Sequence, residues 1–461
     1  ERELAHFLEL TDAKAWIVPL RYGETDYVPI IVALSSTPSL KHIFVIARHD
    51  EVHSLPKGTI CFERIINNVG LTKYPGDYLR DFWPDPSEFC HLMPTGGSTG
   101  LPKLVPRTHD DFLCNVEYRT KAWERSPSDI TLIATPITHN MAIEVSMNPA
   151  FLTGGKVVMI HSTETKDILE TIQKEKVTTM ILAVVQAQRI VDEPKLNLYD
   201  LSSLQVIGTA GSHTPPGLIR KIRERLGCKF FNVYGMSEGP CTQTRYDDPE
   251  EVVLHTVGRP VCPYDEFKVI DSRGNGLSVG EEGELVARGP CIFRGYYKSE
   301  ADNREAFTSD GFFRTGDIAK FDSEGRLVIT GRRKDIIIRG GVNISPSEIE
   351  ELISDHPKIE QVAVVGMPDP ALGERVCACI KLRKGTVLSA EGLIAYLKEK
   401  KISVLYLPEW VEAVDAIPLT DVGKPDKARL REEIRQRCAS RTKWQATDDF
   451  AKGGKIAPSK I

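Results

Sequence analysis

Thr95-Gly96-Gly97-Ser98-Thr99-Gly100-Leu101-Pro102-Lys103 is the stretch from which the rest of the chain can be read. Its three glycines let a backbone come close to a polyphosphate and turn N–H groups toward it. Ser98 and Thr99 add hydroxyl donors, and Lys103 adds a positive charge. The lysine spacing is not that of the GxxxxGK[ST] loop, so a plain P-loop NTPase is not indicated. Gly/Ser/Thr loops are also common as simple turns, so the surroundings must decide. Outward from the loop, short β-branched runs at 43–47, 131–135, 156–160, 179–182 and 205–209 alternate with amphipathic stretches such as 166–174 and 217–226. That alternation predicts an α/β architecture.

From 251 to 332 the texture changes to short strands, at 266–270, 284–288 and 326–329, separated by Gly-rich turns. A third texture follows. A helix is expected over 347–356 with Ser345 or Ser347 as its cap, then strands at 361–366 and 375–382 and a helix at 390–400. A second pass of strand and helix runs over 409–436. The expected organisation is a large N-terminal domain, 1–332, of α/β subdomains plus a β-rich subdomain at 251–332. A small mobile α+β C-terminal domain, 333–438, and a tail, 439–461, complete it. The tail has few large apolar residues, and no structure is expected there.

The net charge of −5, with 41% apolar and 27% charged residues, describes an ordinary globular chain and leaves no basic excess for nucleic acid or an anionic membrane. No apolar run reaches the roughly 20 residues of a membrane span, and no signal-peptide pattern opens the chain. None of the ten cysteines forms a CxxC pair, and no histidine cluster accompanies them. Reduced, buried thiols and a cytoplasmic location are expected. Cys377 and Cys379 would share one face of a strand.

Four further motifs lie downstream: Tyr234-Gly235-Met236-Ser237-Glu238, Arg314-Thr315-Gly316-Asp317, Gly331-Arg332-Arg333-Lys334-Asp335 and Pro418-Leu419-Thr420-Asp421-Val422-Gly423-Lys424. With the glycine loop they resemble, in order and approximate spacing, the TSGTTGxPK, YGxTE, TGD, GRxKD and PxTxxGK motifs of the adenylate-forming superfamily. That superfamily holds acyl-CoA synthetases, peptide-synthetase adenylation domains and firefly luciferase. The resemblance covers about 1–438, and family members usually carry a longer segment ahead of the position of Glu1.

The resemblance implies the use of ATP and Mg²⁺. A nucleotide site would be built from Thr95, Gly96, Gly97, Ser98, Thr99, Gly100, Lys103, Gly211, Ser212, Tyr234, Gly235, Met236, Ser237, Asp317 and Arg332. Tyr234 would lie against adenine, Asp317 would accept from both ribose hydroxyls, and Arg332 would support ribose or phosphate. Glu238 and Thr99 would hold the metal, a hard cation that takes carboxylate, hydroxyl and phosphate oxygens. Lys424 would neutralise charge as a carboxylate attacks the α-phosphate and pyrophosphate leaves. Lys334 matches the hinge about which the small domain turns between the two half-reactions, and Gly340-Gly341 matches the face presented to a thiol tunnel. A non-catalytic relative would be expected to lose Lys424, Glu238 or Asp317, and all three are present.

Among family members the chain looks closest to stand-alone aryl-acid ligases acting on 2,3-dihydroxybenzoate, salicylate or anthranilate. The carriers are Pro106-Arg107-Thr108-His109-Asp110-Asp111, the run from Pro136 to His139-Asn140, and Tyr234 to Arg245 with Asp247-Asp248-Pro249-Glu250. The resemblance implies that His139, as a catalytic partner of Lys424, positions the carboxylate. Asn140 would bond an ortho substituent, and Val145 and Cys241 would line the aryl pocket. Dihydroxybenzoate ligases read HNxxxSS, whereas Val145 stands here at the second serine and would leave a 3-hydroxyl without a partner. An acid with only an ortho group, such as anthranilate or salicylate, or plain benzoate, is therefore expected. Asn140 alone does not choose between amino and hydroxyl. The run Gly340-Gly341-Val342-Asn343-Ile344-Ser345-Pro346-Ser347-Glu348 resembles acyl-CoA ligases, so coenzyme A is the expected acceptor. The alternative is the phosphopantetheine arm of a carrier protein.

Overall fold

The computed structural model describes residues 1–69, 77–95, 102–420 and 424–439. The glycine-loop residues Gly96, Gly97, Ser98, Thr99 and Gly100, the stretch Asp421-Val422-Gly423, and the tail from 440 onward lie outside the described residues. The chain forms two compact units, one of Glu1–His109 with Gly295–Asp302, the other of Asp110–Arg294 with Asn303 onward.

In the first unit, strands Ala15–Pro19, His42–Ile46 and Ile60–Cys61 form a parallel sheet. Its core gathers Val18, Leu20, Ile31, Ile43, Val45 and Ala47. Strands Phe89–Pro94 and Leu104–Thr108 pair antiparallel and flank the glycine loop. Thr95 closes its base, its N–H donating to the Lys103 carbonyl at 2.8 Å while its hydroxyl accepts from the Lys103 N–H at 3.2 Å.

The second unit is built on a seven-stranded sheet. Strands Lys156–Met159, Ile130–Ile133, Thr179–Ala183, Val206–Ala210 and Lys229–Gly235 run parallel, and Cys241–Gln243 and Arg259–Pro260 extend one edge antiparallel. Parallel neighbours need crossovers. Helices Thr165–Glu175 and Pro216–Leu226 supply apolar faces, through Ile168, Leu169 and Ile172, and through Leu218, Ile219 and Ile222. The expected strands and helices here are observed with end shifts of one or two residues.

The β-rich stretch is a four-stranded antiparallel sheet of Glu266–Ile270, Gly283–Arg288, Phe313–Phe321 and Leu327–Arg332. Beyond Arg332 a separate five-stranded sheet forms around the long pair Ile359–Asp369 and Gly373–Leu382. Strand alternation divides the second of these. Val376, Ala378 and Ile380 join one apolar cluster, and Cys377 and Cys379 join another with Trp410, Leu430 and Ile434. Ser345 does precede helix Pro346–Ser354, but its hydroxyl donates to the Thr330 carbonyl instead of capping the helix. Among the described residues no helix is long and apolar enough to cross a membrane.

Candidate active site

Three residues carried by three strands meet in the second unit. Tyr234 sits near the end of Lys229–Gly235, Asp317 within Phe313–Phe321, and Arg332 at the end of Leu327–Arg332, where it is the register partner of Asp317. The Tyr234 hydroxyl donates to Asp317 Oδ2 at 2.7 Å, and Arg332 Nε lies 2.9 Å from Asp317 Oδ1. Asp317 is only 2% exposed, and a buried carboxylate needs such partners. Burial, reinforced by the Asp317 charge, pushes the Tyr234 phenol well above its ordinary pKa, so it remains a donor. The Asp317 charge raises the pKa of Arg332. The sequence reading had assigned Tyr234 through its ring. Its hydroxyl bond spans 83 residues, and no local pattern announces it.

Lys424, which follows the C-terminal sheet along the chain, lies close enough to Arg332 and Asp317 for their charges to act on it. Its loop is pinched at the base. The Thr420 N–H donates to the Lys424 carbonyl at 2.7 Å, the Lys424 N–H donates to Thr420 Oγ1 at 3.2 Å, and Leu419 bridges Pro425. The lysine stem passes over Gly211, the residue after strand Val206–Ala210, where an added β-carbon would lie 3.2 Å from Lys424 Cε. Gly211 holds φ at +95°, a conformation that glycine adopts without strain and other residues rarely do. Burial first, and then the charge of Arg332, pushes Lys424 down to about 8, with Asp317 and Glu238 pulling the other way. Ser212 follows Gly211 and is exposed.

His139 caps the short helix Asn140–Ala142, its Nδ1 accepting from the Met141 N–H at 3.2 Å. Burial, and then the Lys424 charge, lowers the His139 pKa, which keeps the ring neutral at neutral pH. Five residues of π-helix, Ile143–Met147, follow. The widened turn puts Ser146 Oγ 3.2 Å from the Met141 carbonyl, to which it donates. Asn140 Nδ2 donates to Glu144 Oε2 at 2.8 Å, and Glu144 Oε1 takes Arg119 Nη2 at 2.9 Å. The Arg119 and Glu144 side chains are 3% and 1% exposed. Neither was singled out from sequence. The spacing from Asn140 to Glu144 is helical and could have been noticed, but nothing local marks Arg119. Val145 packs into an apolar cluster with Trp123, Met141 and Phe231. Cys241 is fully buried under Gly235, and burial pushes its thiol up to about 11.

The remaining expected residues are placed as follows. Met236, Ser237 and Glu238 form the turn after strand Lys229–Gly235 and are partly buried. Asn115 Nδ2 anchors that turn through the Gly239 carbonyl at 2.9 Å. In the first unit Lys103 Nζ pairs with Asp302 Oδ1 at 2.6 Å, 4.9 Å above the Tyr296 ring. Lys334 is exposed in the 3₁₀ turn Arg333–Asp335. Gly340 and Gly341 make the exposed, positive-φ turn between strands Ile337–Arg339 and Val342–Ile344. Cys114, Cys262 and Cys291 gather with their sulfurs within 4.8 Å of one another, a grouping the scattered sequence positions hide. Burial raises Cys114 to about 11 and Cys291 further, so these two thiols, of which Cys291 lies behind Gly239, stay neutral.

Residues 1–297 match the family model described as AMP-binding enzyme, and residues 348–424 match the AMP-binding enzyme C-terminal domain. The chain belongs to the AMP-binding enzyme family. Within this adenylate-forming family it falls with the stand-alone aryl-acid ligases. It is 37% identical to the 2,3-dihydroxybenzoate-AMP ligase of Bacillus subtilis, over 94% of this chain and 78% of that protein. It is 38% identical to the salicylyl-CoA synthase / salicylate adenylyltransferase of a Streptomyces species, over 77% of this chain and 65% of that protein. It is 32% identical to the salicyl-AMP ligase / salicyl-S-ArCP synthetase of Mycobacterium tuberculosis, over 94% of this chain and 74% of that protein.

Proposed function

We propose that this AMP-binding enzyme activates an ortho-substituted aryl carboxylic acid with ATP, releasing pyrophosphate, and passes the acyl group to the phosphopantetheine thiol of a carrier protein. The observation that carries the first step is Lys424 seated over Gly211, in electrostatic reach of His139, Arg332, Asp317 and Glu238. A lysine held there meets negative charge at the transferring phosphoryl group and the incoming carboxylate. The neutral His139 ring donates to the acid's carboxylate without competing for the phosphate charge. Ribose hydroxyls take over Asp317 from Tyr234 and Arg332, and the tyrosine ring then flanks the base.

The residues also fit a divalent cation. Glu238 lies on the turn that follows Tyr234, and its charge acts on both Lys424 and Arg332. Mg²⁺ held by Glu238 would neutralise phosphate charge; Thr99, its expected partner, lies outside the described residues.

The acceptor expected from sequence was coenzyme A. The relatives favour the alternative, since one is named for an S-ArCP product and the first is an AMP ligase. The Streptomyces relative's name keeps coenzyme A as a second reading. Both acceptors present the same thiol, so the loop around Gly340 discriminates weakly, and the carrier's surface carries the difference. Acid-dependent ATP–pyrophosphate exchange with anthranilate, salicylate, benzoate and 2,3-dihydroxybenzoate tests the first step. The expected order places the mono-ortho acids first, because Val145 offers a 3-hydroxyl nothing. Acyl transfer to coenzyme A and to a phosphopantetheinylated aryl carrier protein, run in competition, tests the second. Faster transfer to coenzyme A would reverse the acceptor assignment.

The hinge is tested separately. A 3₁₀ turn has φ near −60°, which proline shares, so Lys334→Pro is compatible with the pose seen here. A pose needing another φ is closed to it. Exchange is expected to persist while thioester formation falls by at least about tenfold. Equal loss of both steps would remove the hinge role.

A further inference from the structure

Asn140 carries a polar atom that the fold leaves without a partner. Its Oδ1 is buried with no hydrogen bond among the described residues, while its Nδ2 donates to Glu144. A carboxylate only accepts, so the amide nitrogen must face Glu144 and the oxygen must face away from it. Glu144 in turn cannot rotate freely. It is itself buried, and its other oxygen is ion-paired with buried Arg119. The π-helical turn Ile143–Met147 that carries Glu144 is secured by the Ser146 hydroxyl on the Met141 carbonyl. Arg119 is held on helix His109–Ala122, its Nε and Nη1 buried without a hydrogen-bond partner among the described residues. The chain Arg119–Glu144–Asn140 therefore sets the polarity of one amide.

The geometry points to Glu144 as a positioning residue that makes this enzyme select aryl acids whose ortho group donates a hydrogen bond. The inference rests on the aryl-acid reading above and deepens it. A buried acceptor left empty is unfavourable, and a donor from the substrate satisfies it. Phenolic hydroxyl and aryl amine both donate. A fluorine or methoxy group only accepts and would meet Oδ1 lone pair to lone pair. Hydrogen adds nothing. Sequence alone left the amide free to act either way; its orientation removes that freedom.

The test is ATP–pyrophosphate exchange with salicylate, anthranilate, benzoate, 2-fluorobenzoate and 2-methoxybenzoate, reading kcat and KM for each acid. The intact protein is expected to favour the two donors over 2-fluorobenzoate by at least about tenfold in kcat/KM. Glu144→Gln supplies an amide that can donate to Asn140 Oδ1, which lets the Asn140 NH₂ turn toward the substrate. The donor-to-fluoro ratio is then expected to fall by at least about tenfold. Glu144→Asp, which keeps a carboxylate, is expected to keep the original ranking. A uniform loss for all five acids in Glu144→Gln, or equal use of salicylate and 2-fluorobenzoate by the intact protein, would overturn the proposal. The second readout needs no variant, so a misfolded Glu144→Gln does not shelter the idea. Exchange with none of the acids would instead sink the aryl-acid reading on which it rests.

Discussion

Lys424→Ala is expected to lower acid-dependent ATP–pyrophosphate exchange by about a hundredfold or more, the scale of losing one preorganised charge-stabilising donor. The side chain is placed for that role by two features. Its loop is closed at the base by Thr420, and its stem crosses a residue that has no β-carbon. Alanine removes the charge but keeps the Thr420 contacts, which are backbone on the lysine's side, so binding of ATP is expected to weaken far less than turnover. Parallel loss of nucleotide affinity and of rate would show that Lys424 merely holds ATP. The same residue predicts a pH dependence. Its charged form does the work, and in the free enzyme burial has pushed it down to about 8. The kcat/KM for ATP should therefore fall as pH rises through about 8, and Lys424→Ala should lose that limb. Bound polyphosphate favours the charged lysine, so the fall in kcat should lie at higher pH. A profile flat through that range would remove the lysine from the rate-determining charge balance.

Gly239→Ala is expected to destabilise the protein by about 3 kcal/mol or more. A β-carbon there would lie 2.0 Å from the Cys291 carbonyl oxygen and 2.9 Å from Ile292 Cα, both backbone, and φ is +113°. Neither neighbour can rotate away as a side chain could. Relief requires moving the turn that carries Ser237 and Glu238 away from the strand end, or moving the Cys291 segment. Gly274→Ala is the control. It shares a positive φ, +88°, but meets nothing within 4 Å, so only about 1–2 kcal/mol of left-handed strain applies. Urea midpoints of the two variants separate the effects. If Gly239→Ala and Gly274→Ala shift the midpoint equally, the close approach to Cys291 is not rigid. A shifted Glu238 should also raise the Mg²⁺ concentration needed for exchange in any Gly239→Ala protein that folds.

Strand and helix positions were legible because the periodic apolar runs are local. The run at 376–380 shows this well, since alternate residues fall into different apolar clusters as a pleated strand requires. Ser345 was legible as a helix boundary but not as a bond to Thr330, because capping is local and that bond crosses 15 residues. The site residues were legible as motifs, and Lys424, Asp317, Tyr234 and Arg332 do converge. Asp317 and Arg332 meet as register partners on neighbouring strands of one sheet, and Tyr234 reaches them from Lys229–Gly235 in another.

The sequence by itself determined the family and the layered α/β and β-rich organisation, and it supplied the residues proposed to face the nucleotide, because glycines, carboxylates and lysines at fixed spacing carry that chemistry in order along the chain. Tertiary structure alone decided how those groups are biased. It brought Arg119 to Glu144 across 25 residues, and so turned the Asn140 amide. It placed the Tyr234 hydroxyl on Asp317, and it buried Lys424 beside Arg332 so that its proton is held less tightly. Each of these depends on desolvation and on pairings between distant strands and helices, and both are properties of the packed chain that no spacing along it encodes.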